Sequence, residues 1–155
     1  MKNKDIENIV RKYANLVYRV AFTILKNESD TEDIFQEVFM KICSNNIKFM
    51  NEDHEKAWII RVTKNQCLDF LKRSSNKNKN ELDENIQAKT SENFSYVTEE
   101  VMKLPEKYRA IIYLFYYEGY KISEIASILE INESTIKWQL VRARDLLKER
   151  LKEEF

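Results

Sequence analysis

One glycine and one proline in 155 residues constrain this chain more than any other feature of it. Sheet proteins reverse direction often, and their tight turns draw on glycine for positive φ and on proline for a preset φ. With only Gly119 and Pro105 available, turn chemistry for a sheet is missing. Long helices joined by a few polar connections remain, so an all-α fold is expected. Hydrophobic residues at 43% and charged residues at 34% supply both a core and a solvated surface, which excludes a disordered chain.

Other classes fall away in the same manner. No apolar run approaches the roughly 18 residues of a membrane span. The opening stretch MKNKDIENIVRKYANLV lacks the apolar core and cleavage site of a signal peptide, so a cytoplasmic location is expected. Cys43 and Cys67 stand far apart with no C-x-x-C, and His54 is the only histidine. A disulfide framework and an internal zinc site are therefore not expected, and both thiols read as helix-packing residues. No P-loop or G-x-S-x-G occurs, and neither a catalytic residue, a cofactor nor a small-molecule substrate is expected.

The net charge is zero, but it is the sum of opposed patches. Residues 28–37 carry five acids and no base, residues 56–73 five bases and one acid, and residues 134–152 six bases and two acids. A neutral chain of this kind can still present basic faces to nucleic acid and an acidic face to a basic partner.

Apolar spacings of three and four mark the elements. Ile6, Ile9, Val10, Tyr13, Leu16, Val17, Val20, Ala21, Ile24 and Leu25 predict an amphipathic helix over about 3–26. After the turn KNESD, Asp30 is the expected cap of a second helix, with Glu32 and Asp33 in its first turn and Ile34, Phe35, Val38, Phe39 and Ile42 as its buried stripe. The polar stretch SNNIKFMNED precedes a third helix, expected from about His54 to Ser74. Next, SSNKNKNELDENIQAKTSENFS has the composition of a linker. Beyond it come a short helix over 96–103, a helix carrying YRAIIYLFYYE with Pro105 in its first turn and Gly119 at its end, and two helices separated by the tight connection EINE. The expected organisation is thus a three-helix domain over 1–75, a polar linker over 76–95 and a four-helix domain with a helix-turn-helix over 96–155.

In the last helix Ile136, Leu140, Ala143, Leu147 and Leu151 share one face. Trp138 falls opposite, with Ser134, Thr135, Val141 and Arg142 beside it and Lys137, Gln139 and Arg144 on its flanks. Such a face has the groups DNA readout needs: Arg and Lys for phosphates or guanine, Gln for adenine, apolar groups for thymine methyls. Packing against another helix or the linker is the alternative for Trp138.

On the second helix Asp33, Gln36, Glu37 and Met40 face away from the apolar stripe and suit a basic protein partner, unless they are merely a solvated face. On the third, Arg61, Lys64, Asn65, Asp69, Lys72 and Arg73 form a broad polar stripe beside Trp58, a combination suited to a nucleic-acid backbone and unstacked bases.

These segments carry a resemblance. DTEDIFQEVFMKI resembles the core-polymerase-binding helix of extracytoplasmic-function sigma factors, a group within the sigma-70 family, and AWIIRVTKNQCLDFLKR resembles their promoter-melting helix. LPEKYRAIIYLFYYEGYKISEIASILEINESTIKWQLVRARDLL is similar to their minus-thirty-five-binding domain. The resemblance implies a region-2 domain and a region-4 domain, with core RNA polymerase and promoter DNA as partners. It also implies an anti-sigma factor, which in a membrane-anchored form would hold the chain at the membrane's inner face.

Carried onto matching positions, the resemblance has Asp33, Gln36, Glu37 and Met40 dock on the coiled coil of the polymerase's largest subunit. Arg61, Lys64, Asn65, Asp69 and Arg73 hold the minus-ten element, and the loop over 44–53 captures a flipped base. Ser134, Thr135, Lys137, Trp138, Gln139, Arg142 and Arg144 face the minus-thirty-five element, and Trp58 belongs mainly to packing. Two positions depart from the family pattern: Glu130 stands where glycine is common, and Trp138 where a small or basic residue is.

Read without the resemblance, the residues leave alternatives open. A conventional dimeric helix-turn-helix regulator would bind its operator without polymerase, whereas a sigma factor of this kind binds promoter DNA weakly until core polymerase is present. A helical interaction protein would bury the basic faces.

Overall fold

The computed structural model describes residues 3–44, 48–77 and 96–153, which are helical with no strand. Two compact units divide the chain, Met1–Ile86 and Gln87–Phe155.

The first unit holds α1 (Asn3–Leu25), α2 (Glu28–Cys43) and α3 (Glu52–Lys77), each packed on the other two. Tyr13, Leu16, Val17, Val20, Ala21, Ile24 and Leu25 of α1 meet Ile34, Val38, Phe39 and Ile42 of α2 and Ile59, Ile60 and Cys67 of α3, all buried. The reversal after α1 is made by Lys26 at φ 60. The extended residue that follows, Asn27, starts α2: its side chain accepts from the Asp30 N–H at 2.9 Å. The cap is therefore Asn27 and not Asp30, which lies in the first helical turn with Glu28, where a carboxylate favours the helix dipole. Thr31, fully buried, is satisfied by donating to the Asn27 carbonyl at 2.7 Å.

Helix α3 is longer at both ends than the apolar spacing predicts. Asn51 caps it by accepting from the His54 N–H at 2.8 Å, and its backbone continues through residues 75–77, the last two of which open the expected linker. The rest of that linker, 78–95, lies outside the described residues. Polar ties join α1 to α3: Tyr13 donates to Glu55 at 2.5 Å, and Lys12 pairs with Glu52 and, at 3.7 Å, with Glu55. Burial and the bond to Glu55 push the Tyr13 phenol up to about 12.

The second unit holds α4 (Tyr96–Met102), α5 (Glu106–Ile112), α6 (Ile122–Leu129) and α7 (Glu133–Glu153). Its core is Leu104, Tyr108, Ile111, Ile112, Leu114, Ile125, Ile128, Leu129, Ile136, Leu140 and Ala143. Pro105 sits one position earlier than expected, capping α5 in extended conformation. Among the described residues of these helices two charged groups, Arg109 and Glu100, are buried. Arg109 donates to the Leu104 carbonyl, and its burial lowers the guanidinium to about 10. Glu100 pairs with Lys103 at 3.0 Å and with Arg150 at 3.9 Å, tying α4 to α7.

The helix expected to end at Gly119 changes its winding after α5. From Tyr113 to Tyr117 the backbone widens into a π-helical turn, closed by the Glu118 N–H on the Tyr113 carbonyl at 3.1 Å. Gly119 then takes φ 75, which lets the Tyr120 N–H reach the Leu114 carbonyl at 3.0 Å. The extra residue of the wide turn re-aims the run YLFYY, leaving Leu114 buried and Tyr116 and Tyr117 exposed.

Candidate nucleic-acid and partner interfaces

Because Ile34, Val38 and Ile42 commit one face of α2 to the core, Asp33, Gln36, Glu37 and Met40 emerge on the other, and all four are exposed. Met40 is 72% exposed, an unusual position for a methionine. These four residues line a groove of ≈ 410 Å³ together with Phe70, Arg73 and Ser74 of α3. Arg73, assigned with the minus-ten residues on sequence, is thus brought beside the acidic face. The groove combines an apolar element, Met40 and Phe70, with an acidic rim, which suits an amphipathic basic helix.

Along α3, Trp58, Arg61, Asn65 and Asp69 follow one another at spacings of three and four and so form one stripe, while Lys64 stands to its side. Asn65, Asp69, Lys72 and Arg73 are exposed, and Arg61 and Lys64 half-buried. Trp58 is half-buried against Phe49, ring centres 5.4 Å apart, and Phe49 meets His54 edge-on at 5.5 Å. The Met50 N–H donates to His54 Nδ1 at 3.3 Å, and the Met50 side chain is exposed. An aromatic cluster therefore joins the end of the expected base-capturing loop, at Phe49, to the start of α3. Residues 45–47 of that loop lie outside the described residues. The sequence marks Phe49 and Met50 only as part of the loop and His54 only as a helix start; the signal for their clustering is Asn51, three residues before His54, a helix cap that folds the preceding residues back on the first turn.

In the second unit the helix-turn-helix closes on Glu130, which caps α6 in the left-handed region (φ 57, ψ 45) and lets the Ile131 N–H bond the Ala126 carbonyl at 3.0 Å. Helix α7 buries Ile136, Leu140 and Ala143. Opposite them, Ser134, Lys137, Trp138, Val141 and Arg142 are exposed and Thr135 half-exposed. Trp138 is 61% exposed, so packing within its unit does not cover it. Gln139 is half-buried, with a buried Oε1 that has no hydrogen-bond partner among the described residues. Arg144 donates from Nε to the Tyr116 hydroxyl at 2.6 Å and lies over the Phe115 and Tyr116 rings at 5.4 and 5.5 Å. Its guanidinium braces the π-helical turn, a role only the structure reveals.

Comparison with known proteins bears on both units. Residues 9–77 match the family model for sigma-70 region 2, and residues 95–147 match that for sigma-70 region 4. The chain is 34% identical to RNA polymerase sigma factor SigV of Bacillus subtilis (strain 168) over 142 residues, covering 88% of this chain and 85% of the relative. This chain belongs to the sigma-70 family, in its extracytoplasmic-function group. The sigma factor is also 27% identical to ECF RNA polymerase sigma factor SigM of the same organism, covering 92% of one chain and 93% of the other. Its fold is similar to that of RpoE in a co-crystal structure with the anti-sigma factor NepR from Bartonella quintana (TM-score 0.76, 20% identity, 96% and 98% of the two chains). It is also similar to CnrH in complex with the cytosolic domain of CnrY (TM-score 0.68, 17% identity, 99% and 92%).

As a member of this family, the sigma factor binds core RNA polymerase and directs promoter-specific initiation of transcription. A conventional operator-binding regulator is not favoured, because both units match sigma-70 regions in the family's order. No described helix is long and apolar enough to cross a membrane.

Proposed function

We propose that this sigma factor distributes promoter recognition over three surfaces. In residues 1–75, the groove formed by Asp33, Gln36, Glu37 and Met40 docks on the coiled coil of the polymerase's largest subunit. The stripe of Arg61, Asn65 and Asp69, with Lys64 to its side, holds the minus-ten element, while Arg73 of the same helix lines the docking groove. In residues 96–155, Ser134, Thr135, Lys137, Trp138, Gln139 and Arg142 face the minus-thirty-five element, with Arg144 holding the helix that carries them. Residues 76–95 connect the two.

The mechanism is binding directed at a strained state of the DNA. Capture of an unstacked base offsets the few kcal/mol that unpairing costs, so strands open only where the sequence fits the pocket. Every step is association, and no catalytic residue is assigned. The sigma factor works in the cytoplasm, and an anti-sigma factor, as NepR is for RpoE, competes for it.

The observation that carries this reading is the pairing of an exposed acidic groove on α2 with an exposed cationic and apolar face on α7, each within its own sigma-70 region. Run-off transcription with purified core polymerase, with and without this chain, across fragments of its own genome tests it. Chain-dependent products from a subset of fragments are expected; no such product from any fragment would sink the reading.

A further inference from the structure

The outward face of α7 contains a feature that phosphate binding does not use. Trp138 and Val141, 61% and 54% exposed, are three residues apart, so their side chains adjoin on the helix surface and form a single apolar ridge. Two neighbouring apolar side chains left in solvent call for an apolar partner. The surroundings indicate which kind. Ser134, Lys137 and Arg142, all exposed, lie around the ridge over the first turns of α7; Glu133, exposed in the first turn, lies well round the helix from Trp138, and Asp145 and Glu149 come later, Asp145 about 10 Å farther along the axis than Trp138. Cations beside an apolar ridge at the leading end of the second helix of a helix-turn-helix match the major groove, where phosphates border a floor whose apolar groups are the thymine methyls.

We infer that Trp138 and Val141 read thymine 5-methyl groups in the minus-thirty-five element, so that this sigma factor selects thymines at the base steps beneath the ridge. The inference rests on the reading of α7 as the minus-thirty-five helix and adds the chemical group recognised. Lys137 and Arg142 supply charge that is indifferent to the methyl. The indole and the isopropyl group supply discrimination, because a methyl packed on them leaves water, and its loss exposes both surfaces again.

Deoxyuridine differs from thymidine in this methyl alone. Holoenzyme reconstituted from core polymerase and the full chain is bound, at fixed salt, to promoter fragments active in run-off transcription, with each minus-thirty-five thymine replaced in turn by deoxyuridine. Weakening by about threefold to fivefold at one or two positions is expected, the scale of one buried methyl. Trp138→Ala and Val141→Ala, both at exposed sites, should bind thymine and deoxyuridine fragments alike at those positions. Wild-type indifference to every replacement, with promoter-specific transcription intact, overturns the inference and leaves the sigma reading standing. Trp138→Ala and Val141→Ala variants that both keep the full deoxyuridine penalty also overturn it. So does a Trp138→Ala variant that loses only a protein partner while its DNA binding is unchanged. Absence of any chain-dependent transcription removes the sigma reading itself.

Discussion

Arg144 and Tyr116 are joined across 28 residues of sequence by a 2.6 Å hydrogen bond from the guanidinium Nε to the phenol oxygen, with the guanidinium lying over the Tyr116 ring. The bond links the π-helical turn to α7. Two arginines separated by one residue therefore have different employment: Arg142 points away from the buried face, and Arg144 is occupied within its own unit.

Salt dependence separates them. Each phosphate neutralised adds about 0.9 to the slope of log K against log salt. Arg142→Ala is expected to lower the slope for holoenzyme on promoter DNA by about 0.9 with the chain's stability unchanged. Arg144→Ala is expected to leave the slope nearly intact and to lower stability by roughly 1 kcal/mol, from a lost charge-assisted hydrogen bond and ring contact. Denaturant unfolding and a salt titration of binding check the two halves. Equal slope changes for both variants would return Arg144 to the DNA face.

The turn of the helix-turn-helix stores backbone strain that can be relieved. Glu130 holds φ 57, a conformation costing a side-chain-bearing residue roughly 1–2 kcal/mol. Glu130→Gly removes that cost at the expense of a more flexible unfolded chain, so a net gain of about 0.5–1 kcal/mol is expected. The denaturant midpoint should rise with an unchanged slope; Glu130→Ala, which keeps the Cβ, should give no gain.

Glu130 also shows what was legible. Its departure from the family's glycine was visible in sequence, but the left-handed φ that explains it was not. Apolar spacing identified α1, α2 and the buried face of α7 because burial repeats every three to four residues. It missed what depends on a single hydrogen bond: the Asn27 and Asn51 caps, and the widening at Tyr113–Tyr117, where one shifted carbonyl re-aims five aromatic or apolar residues. On the candidate faces, one-dimensional spacing gave direction, yet not neighbours. Spacing gives Arg144 a flank but not Tyr116, and Arg73 a place on α3 but not the α2 groove.

The two cysteines should behave as opposites. Cys67 is fully buried, and that burial pushes its thiol from 9.0 to about 12, while Cys43 is half-buried. A thiol reagent at mildly alkaline pH should modify Cys43 promptly and Cys67 only at the rate of unfolding. The folded state holds the Cys67 proton more tightly than the unfolded chain does. Its contribution to stability is therefore complete below pH 9 and is lost as pH rises from 9 toward 12, at about 1.4 kcal/mol per unit. Cys67→Ala should remove that alkaline slope while costing some stability at neutral pH. Prompt labelling of both thiols would contradict the buried position.

Arg73 tests how the first unit's surfaces divide. It lines the groove with Asp33, Gln36, Glu37 and Met40 although it belongs to α3, the helix whose Arg61, Lys64, Asn65 and Asp69 we propose for the minus-ten element. Met40→Ala removes the exposed apolar side chain a partner would cover and is expected to weaken core-polymerase binding about tenfold, on the scale of a buried methionine. Glu37→Lys reverses a rim charge and should weaken it further. Asp69→Ala lies along the DNA stripe and should leave core affinity unchanged while impairing open-complex formation. For Arg73→Ala the groove geometry predicts a change in core affinity, measured by competition against labelled wild-type chain, with little effect on minus-ten discrimination. An Arg73→Ala variant with wild-type core affinity and a defect confined to open complexes would place this residue with the DNA stripe after all.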